Sequence, residues 1–323
     1  MVIIQHHNAG LCNQILNLEI AAGIALLSGK AIIDVVTPFV ERPSSFFDKA
    51  AVSNRDTEPL YILDIMEIPD WIDLTTSVVP INYDEATRKN IQHLFINASP
   101  GTPVSESFAD GREELDLVLE PTLGHPSIAY YSITFANRTK ELDRTLAAVR
   151  PKAEYRELAD KIAQAIGPFN GVHLRRGDHI GVVDVPGSMI EQATFRDWRP
   201  LVLATDEPDA EGIPKDAIII EEYIINNFWD EFNRLPRRTS DVFALICNLV
   251  MHHSKDFYGT QTSTYTGYIQ RAINQRDPDF KFKYLNNDIA PSFTNGEYSW
   301  NLYDGPGIHK TILREWPESK LDI

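Results

Sequence analysis

A chain of 323 residues and 36.5 kDa, 43% apolar and 24% charged, has the makeup of a globular protein of about two domains. That composition excludes disordered, collagen-like and coiled-coil chains. Its 46 acids against 30 bases leave a net charge of −16, so the overall field disfavours nucleic acid and anionic membranes and leaves room only for a local basic site.

The opening Met-Val-Ile-Ile-Gln carries no basic stretch and reads as a strand over Val2–Gln5 that starts at once. His7-Asn8-Ala9-Gly10 supplies turn chemistry, and Leu16, Ile20, Ile24 and Leu27 at helical spacing predict a helix over 13–28. Gly29 stops it, and a second strand follows over Ala31–Val36, which makes a βαβ unit and a parallel sheet. Residues 38–125 read as irregular connections with a few short helices. A strand is expected over 127–135, then helices over 139–149 and 152–166, with a domain boundary between 150 and 168. The second half resumes the α/β rhythm. Strands are expected at 171–174, 201–204, 217–220, 256–258 and 280–284, with helices over 241–252 and 266–274. No apolar run approaches the roughly 18 residues of a membrane span. Two cysteines, Cys12 and Cys247, form no disulfide framework, so the expectation is a cytoplasmic protein with reduced thiols.

Four segments could carry chemistry. In Gly171-Val172-His173-Leu174-Arg175-Arg176-Gly177-Asp178, an apolar strand ends in two arginines and a turn. Guanidiniums there either grip a phosphate in two-pronged fashion or form a surface pair with Asp178 and nearby carbonyls. Alternation puts His173 and Arg175 on one face and sends Arg176 to the other, in a structural role. The stretch from Asp256 to Thr266 runs a strand into a hydroxyl-rich turn that opens a helix; it is either an anion site or a simple cap by Thr262, Ser263 or Thr264. The first turn, Asn8 to Gln14, has too few glycines for a dinucleotide fingerprint, and Asn13 there suits a helix cap. Leu203-Ala204-Thr205-Asp206 is a strand ending in a polar pair. No phosphate-binding P-loop, nucleophile elbow or zinc signature is present. The adjacent pairs His6-His7 and His252-His253 read as solvated or capping histidines, so no metal site is expected.

Taken together, these segments resemble the superfamily of fucosyltransferases that use GDP-fucose. It includes the protein O-fucosyltransferases, the nodulation fucosyltransferases and the α1,6-fucosyltransferases. His173, Arg175, Arg176 and Asp178 match its H-x-R-R-x-D donor motif; Ala204-Thr205-Asp206 is similar to its second motif, and Ser263-Thr264-Tyr265-Thr266 to its third. The turn Gly10-Leu11-Cys12-Asn13-Gln14 resembles the one that begins these enzymes. The resemblance implies an α/β, GT-B-like chain of two Rossmann-like domains facing across a cleft, residues 1–160 on the acceptor side and 161–323 on the GDP-fucose side. It implies inverting, metal-independent transfer of fucose, with a nucleotide sugar and a glycan or protein hydroxyl as partners. Arg175 would hold the β-phosphate with Arg176 in support, and His173 would lie near the guanosine. Ser263, Thr264, Tyr265 and Thr266 would contact phosphates and sugar, Asp241 would read the guanine edge, and Gly10, Asp178, Thr205 and Asp206 would complete the donor site. Asp184 stands one position later than the family's basic glutamate and is the expected general base, with Asn13 and Glu19 as rivals. Another nucleotide sugar as donor, or a non-catalytic carbohydrate-recognition module on the same fold, are the alternatives.

Overall fold

A computed structural model describes residues 2–5, 11–12, 14–15, 18, 31–34, 39, 45–50, 56–70, 74–77, 117–119, 149–177, 185–260, 263–277, 279–280 and 283–285. The strand expected at 127–135, and the helix expected at 139–149 except for Val149, lie outside them. Along the chain run β1 (Val2–Gln5), β2 (Ala31–Asp34), α1 (Ser45–Ala50), the single turn α2 (Ile62–Ile65), β3 (Met66–Glu67), β4 (Leu74–Ser77), β5 (Leu117–Leu119) and β6 (Arg150–Pro151). Then come α3 (Ala153–Ile166), β7 (Asn170–Leu174), a 3₁₀ stretch (Gly187–Gln192), β8 (Leu201–Thr205), β9 (Ile218–Ile219), α4 (Ile220–Phe232), α5 (Ser240–Met251), β10 (Phe257–Gly259) and α6 (Thr264–Arg276). The fold is α/β, and both four-stranded sheets are parallel throughout.

The chain divides into two compact units. The first holds the sheet β4-β2-β1-β5 and the antiparallel pair β3/β6. The expected opening strand and the second strand are β1 and β2, and Leu11, Cys12, Gln14, Ile15 and Leu18 between them are helical and buried.

The second unit holds the sheet β10-β7-β8-β9 together with α1, α3, α4, α5 and α6. In each sheet the earliest strand stands inside, the second and third extend to one side, and the fourth lies on the other. That is the doubly wound order, and it creates a switch point beside the earliest strand, between β7 and β10 in the second unit. Helices cover this sheet for readable reasons. On α3, Tyr155, Leu158, Ala159, Ile162 and Ala163 recur at i, i+3, i+4, i+7 and i+8 and are all buried. Eleven of the twelve residues of α5 are buried, as its almost wholly apolar sequence requires. β7 is buried at every position, as expected of a central parallel strand.

The stretch 38–125, read as irregular connections with a few short helices, holds the strands β3, β4 and β5, and β4 and β5 are half of the first unit's parallel sheet. Other elements also differ from expectation. The sequence reading placed a strand over 217–220, but it is only Ile218–Ile219, because Ile220 opens α4, a helix the reading did not contain. Of the strand expected over 280–284, the described part is a bridge from Tyr284 to Gly259. The short helix α1, from the stretch read as irregular, packs in the second unit through Phe47, whose ring meets those of Trp229, Phe232 and Phe243.

Candidate functional site

The carboxyl ends of β10, β7 and β8 come together because the three strands are parallel neighbours. The register pairs Gly259 with His173, His173 with Ala204, and Leu174 with Thr205. The next residue out on each strand is therefore Thr260, Arg175 and Asp206 respectively.

Asp206 is the centre of this arrangement. Its Oδ1 accepts the Arg176 backbone N–H at 2.9 Å, and its Oδ2 pairs with Arg175 Nη1 at 2.8 Å. Gly177 belongs to the same turn: a Cβ there would lie 2.4 Å from Asp206 Oδ2, so only glycine leaves room for the carboxylate. Arg176 is spent on the scaffold. Its Nε donates to Glu207 Oε2 at 2.9 Å and its Nη1 to the Val185 carbonyl at 2.5 Å. Two guanidiniums and two carboxylates thus form a quartet of no net charge, in which Arg175 and Asp206 each keep 24% exposure.

Thr260 ties β10 to β7. Its N–H donates to the His173 carbonyl at 3.0 Å, its hydroxyl donates to the same carbonyl at 3.2 Å, and that hydroxyl accepts the Arg175 N–H at 2.9 Å. The backbone on both sides of Leu174 is therefore fixed by one buried side chain. His173 is 5% exposed, and its Nδ1 meets Thr266 Oγ1 at 2.7 Å. Its ring lies 4.6 Å from that of Tyr265. Gly259 permits this approach, since a Cβ there would fall 2.3 Å from Thr266 Cγ2.

Ser263 caps α6 by accepting the Thr266 N–H at 3.5 Å, and the half-buried Thr264 opens the helix. The Tyr265 hydroxyl donates to the Ala244 carbonyl of α5 at 2.9 Å. Thr205 is buried, and its hydroxyl accepts the Glu207 N–H at 3.1 Å. Asp241 is buried in the first turn of α5, which Thr239 caps. The structure therefore gathers His173, Arg175, Arg176, Thr205, Asp206 and Thr266 at the strand ends and places Asp241 at a helix start. Gly10, Asn13, Glu19, Asp178 and Asp184 lie outside the described residues.

Three residues that the sequence reading did not single out belong here: Thr260, Glu207 and Glu221. The first two follow directly on Gly259 and Asp206, and the sheet order alone shows what they bind. Glu221 sits in the first turn of α4, behind β8. Its Oε2 is buried without a hydrogen-bond partner among the described residues. Desolvation pushes its pKa up to about 8, with the Asp206 and Glu222 charges adding to the shift. Burial likewise raises the thiol of Cys247, with the nearby Glu221 adding to it. A folded pKa above the unfolded value of 4.5 means that the native state holds a proton which the unfolded chain has lost. Stability is then full below pH 4.5 and falls as pH rises toward 8. Glu221→Gln is expected to flatten that decline. Chemical-denaturation midpoints for the two proteins between pH 5 and pH 9 check it, and parallel curves would refute it.

Among the described residues no group of three or more His, Cys, Asp or Glu could hold a metal ion, and no helix is long and apolar enough to cross a membrane.

No protein-family model and no curated protein matches the chain. Several solved structures are similar to it. The fucosyltransferase NodZ from Bradyrhizobium shares 14% identity at a TM-score of 0.48, covering 84% of this chain and 92% of that one. POFUT1 in complex with GDP-fucose shares 11% at 0.43, covering 88% and 98%. The Arabidopsis thaliana enzyme FUT1 in complex with GDP shares 11% at 0.42, covering 88% and 69%. These structures are of fucosyltransferases, at identities and scores too low to assign this chain's fold or activity.

Proposed function

We propose that the chain is an inverting glycosyltransferase that moves fucose from GDP-fucose to a hydroxyl of a glycan or protein acceptor, without a metal. The observation that carries the reading is Arg175. It stands at the carboxyl end of β7, the strand beside the switch point, where doubly wound sheets bind their ligands. Thr260 at the end of β10 holds its backbone N–H, and Asp206 at the end of β8 holds its guanidinium. The resemblance of this stretch to the H-x-R-R-x-D donor motif adds to the reading.

Fucosyl transfer passes through an oxocarbenium-like state while negative charge grows on the departing diphosphate. A fixed guanidinium aimed at that diphosphate stabilises the transition state more than the ground state. In this reading Arg175 carries that charge role and Arg176 holds the turn. His173, oriented by Thr266, stands near the nucleoside; Ser263, Thr264 and Tyr265 serve the phosphates and sugar, and Asp241 reads the guanine. The base that takes the acceptor proton is Asp184, with Asn13 and Glu19 as rivals.

A melting series with GDP, UDP and ADP, paired with transfer assays in EDTA, tests this. At about 100 times its dissociation constant GDP should add roughly 2.7 kcal/mol of stability. UDP and ADP should add far less, and transfer from GDP-fucose should survive chelation. Equal stabilisation by all three nucleotides overturns the donor assignment. Loss of transfer in EDTA with recovery in Mn²⁺ overturns the metal-free mechanism.

A further inference from the structure

The second unit carries an open hollow of about 820 Å³ that begins at Asp206 and runs along α4 to α1. Its volume lies within the range of small-molecule sites. One wall is the loop from Asp206 to Ala210; the other is Glu222, Ile225 and Asn226 of α4, with Phe46 and Ala50 of α1 completing it. Asp206 and Glu207 are already committed to Arg175 and Arg176. Asp209 and Glu222 are exposed and make no hydrogen bond or ion pair among the described residues, and the same holds for Asn226.

This chemistry is selective. Among the described residues the lining contains no cation, so a phosphate or an acidic polymer finds nothing there to pair with. Ionised carboxylates only accept hydrogen bonds, which suits a ligand rich in hydroxyl donors, and Asn226 can both give and receive. The half-buried Phe46, with Ile225, offers an apolar face of the kind that packs against the C–H side of a sugar ring. The hollow shares Asp206 with the Arg175 clamp, so an occupant lies beside the strand end where Arg175 stands.

We infer that this hollow is a subsite for a neutral, polyhydroxylated ligand, a glycan segment, lying next to the arginine clamp; in a transferase it would receive the acceptor. The assignment as acceptor subsite rests on the function proposed above, while the ligand class rests on the lining alone. Glu222, Asp209 and Asn226 bind hydroxyls, and Phe46 stacks on a ring.

Titration calorimetry on the full chain tests it with cellotetraose, chitotetraose, maltotetraose and mannotetraose as neutral probes, the glucosamine tetramer as a cationic one, and GDP in parallel. At least one neutral tetraose should bind. Glu222→Gln should weaken it about tenfold or more, the scale of one hydrogen bond to a charged group, and Phe46→Ala by about tenfold through the lost ring contact. GDP affinity should be the same in all three proteins, which also reports that the variants are folded. If no neutral tetraose binds, if only the glucosamine tetramer does, or if neither substitution changes binding, the subsite assignment is wrong. Wild-type protein that binds a tetraose but not GDP overturns the proposed donor while leaving the glycan subsite standing.

Discussion

Arg175→Lys protein should fold like the wild type and lose about 10²- to 10³-fold in transfer rate, the loss typical of removing one preorganised donor to a developing anion. The charge survives the change; the geometry does not. A guanidinium presents a planar fork of donors that matches a phosphate in two-pronged fashion, and Asp206 fixes the direction of that fork through Nη1. An ammonium on a flexible stem is a compact point charge. Its three donors diverge from one nitrogen, so even beside Asp206 it cannot make the planar two-pronged grip that a phosphate takes from a guanidinium. Folding should be indifferent, because an ion pair whose partners are each 24% exposed contributes at most about 1 kcal/mol.

Arg176→Lys is the informative companion. Arg176 braces Glu207 and the Val185 carbonyl. Its loss should therefore show first in stability and only secondarily in rate, by letting Asp206 and the Gly177 turn shift. Circular dichroism, melting temperature and initial rates on both proteins settle the comparison. A folded Arg175→Lys protein that keeps more than about a tenth of the wild-type rate removes Arg175 from the chemistry, and the donor-site reading goes with it.

The strand ends were legible because β8 is an apolar run that stops at Thr205, and β7 sets Val172 and Leu174 beside His173 just before the polar Arg175-Arg176 pair. What lay beyond reach was adjacency. Arg175 and Asp206 meet because Leu174 pairs with Thr205 across β7 and β8, and Thr260 meets them because Gly259 pairs with His173 on the other side. Periodicity says where a strand is and which face its residues take, but not which strand is its neighbour. The motif resemblance drew attention to His173 and Arg175 but not to Thr260 or Glu207, whose roles exist only in the sheet.

Helix α4 escaped for a different reason. Its buried stripe of Ile220, Ile224, Phe228 and Phe232 is regular at every fourth residue, but Ile220 continues the β-branched run Ile218–Ile219, Ile224 and Ile225 repeat that signal, and Glu221, Glu222, Asn226 and Asn227 break the apolar run. β-branched residues of this kind favour strands when read locally. Packing overrode that preference. The aromatic cluster at the end of α4 needed a partner from far along the chain, and a local window sees no such partner.

That partner is Phe47, and its removal should give the largest loss of stability. The side chain is 1% exposed, and its ring centroid lies 6.1 Å from Trp229, 6.0 Å from Phe232 and 5.8 Å from Phe243. Trp229 and Phe232 stack on each other at 5.2 Å, and Phe243 stands perpendicular to Phe232, so Phe47 fills a three-sided aromatic cage. Phe→Ala in such a place leaves a cavity that rigid rings cannot collapse into, at a cost of about 3–5 kcal/mol. Phe47→Leu, which keeps most of the volume, should cost about 1.5 kcal/mol or less. The consequence reaches the site, because α4 carries Glu221 behind Thr205 and the wall of the hollow at Glu222, and α5 anchors Tyr265. Denaturant melts of both variants, followed by tryptophan fluorescence, would report the loss directly. A Phe47→Ala protein that stays within about 1 kcal/mol of wild type, well below the usual cavity cost, would mean that the cage closes without Phe47 and that α1 is not what fastens α4 to α5.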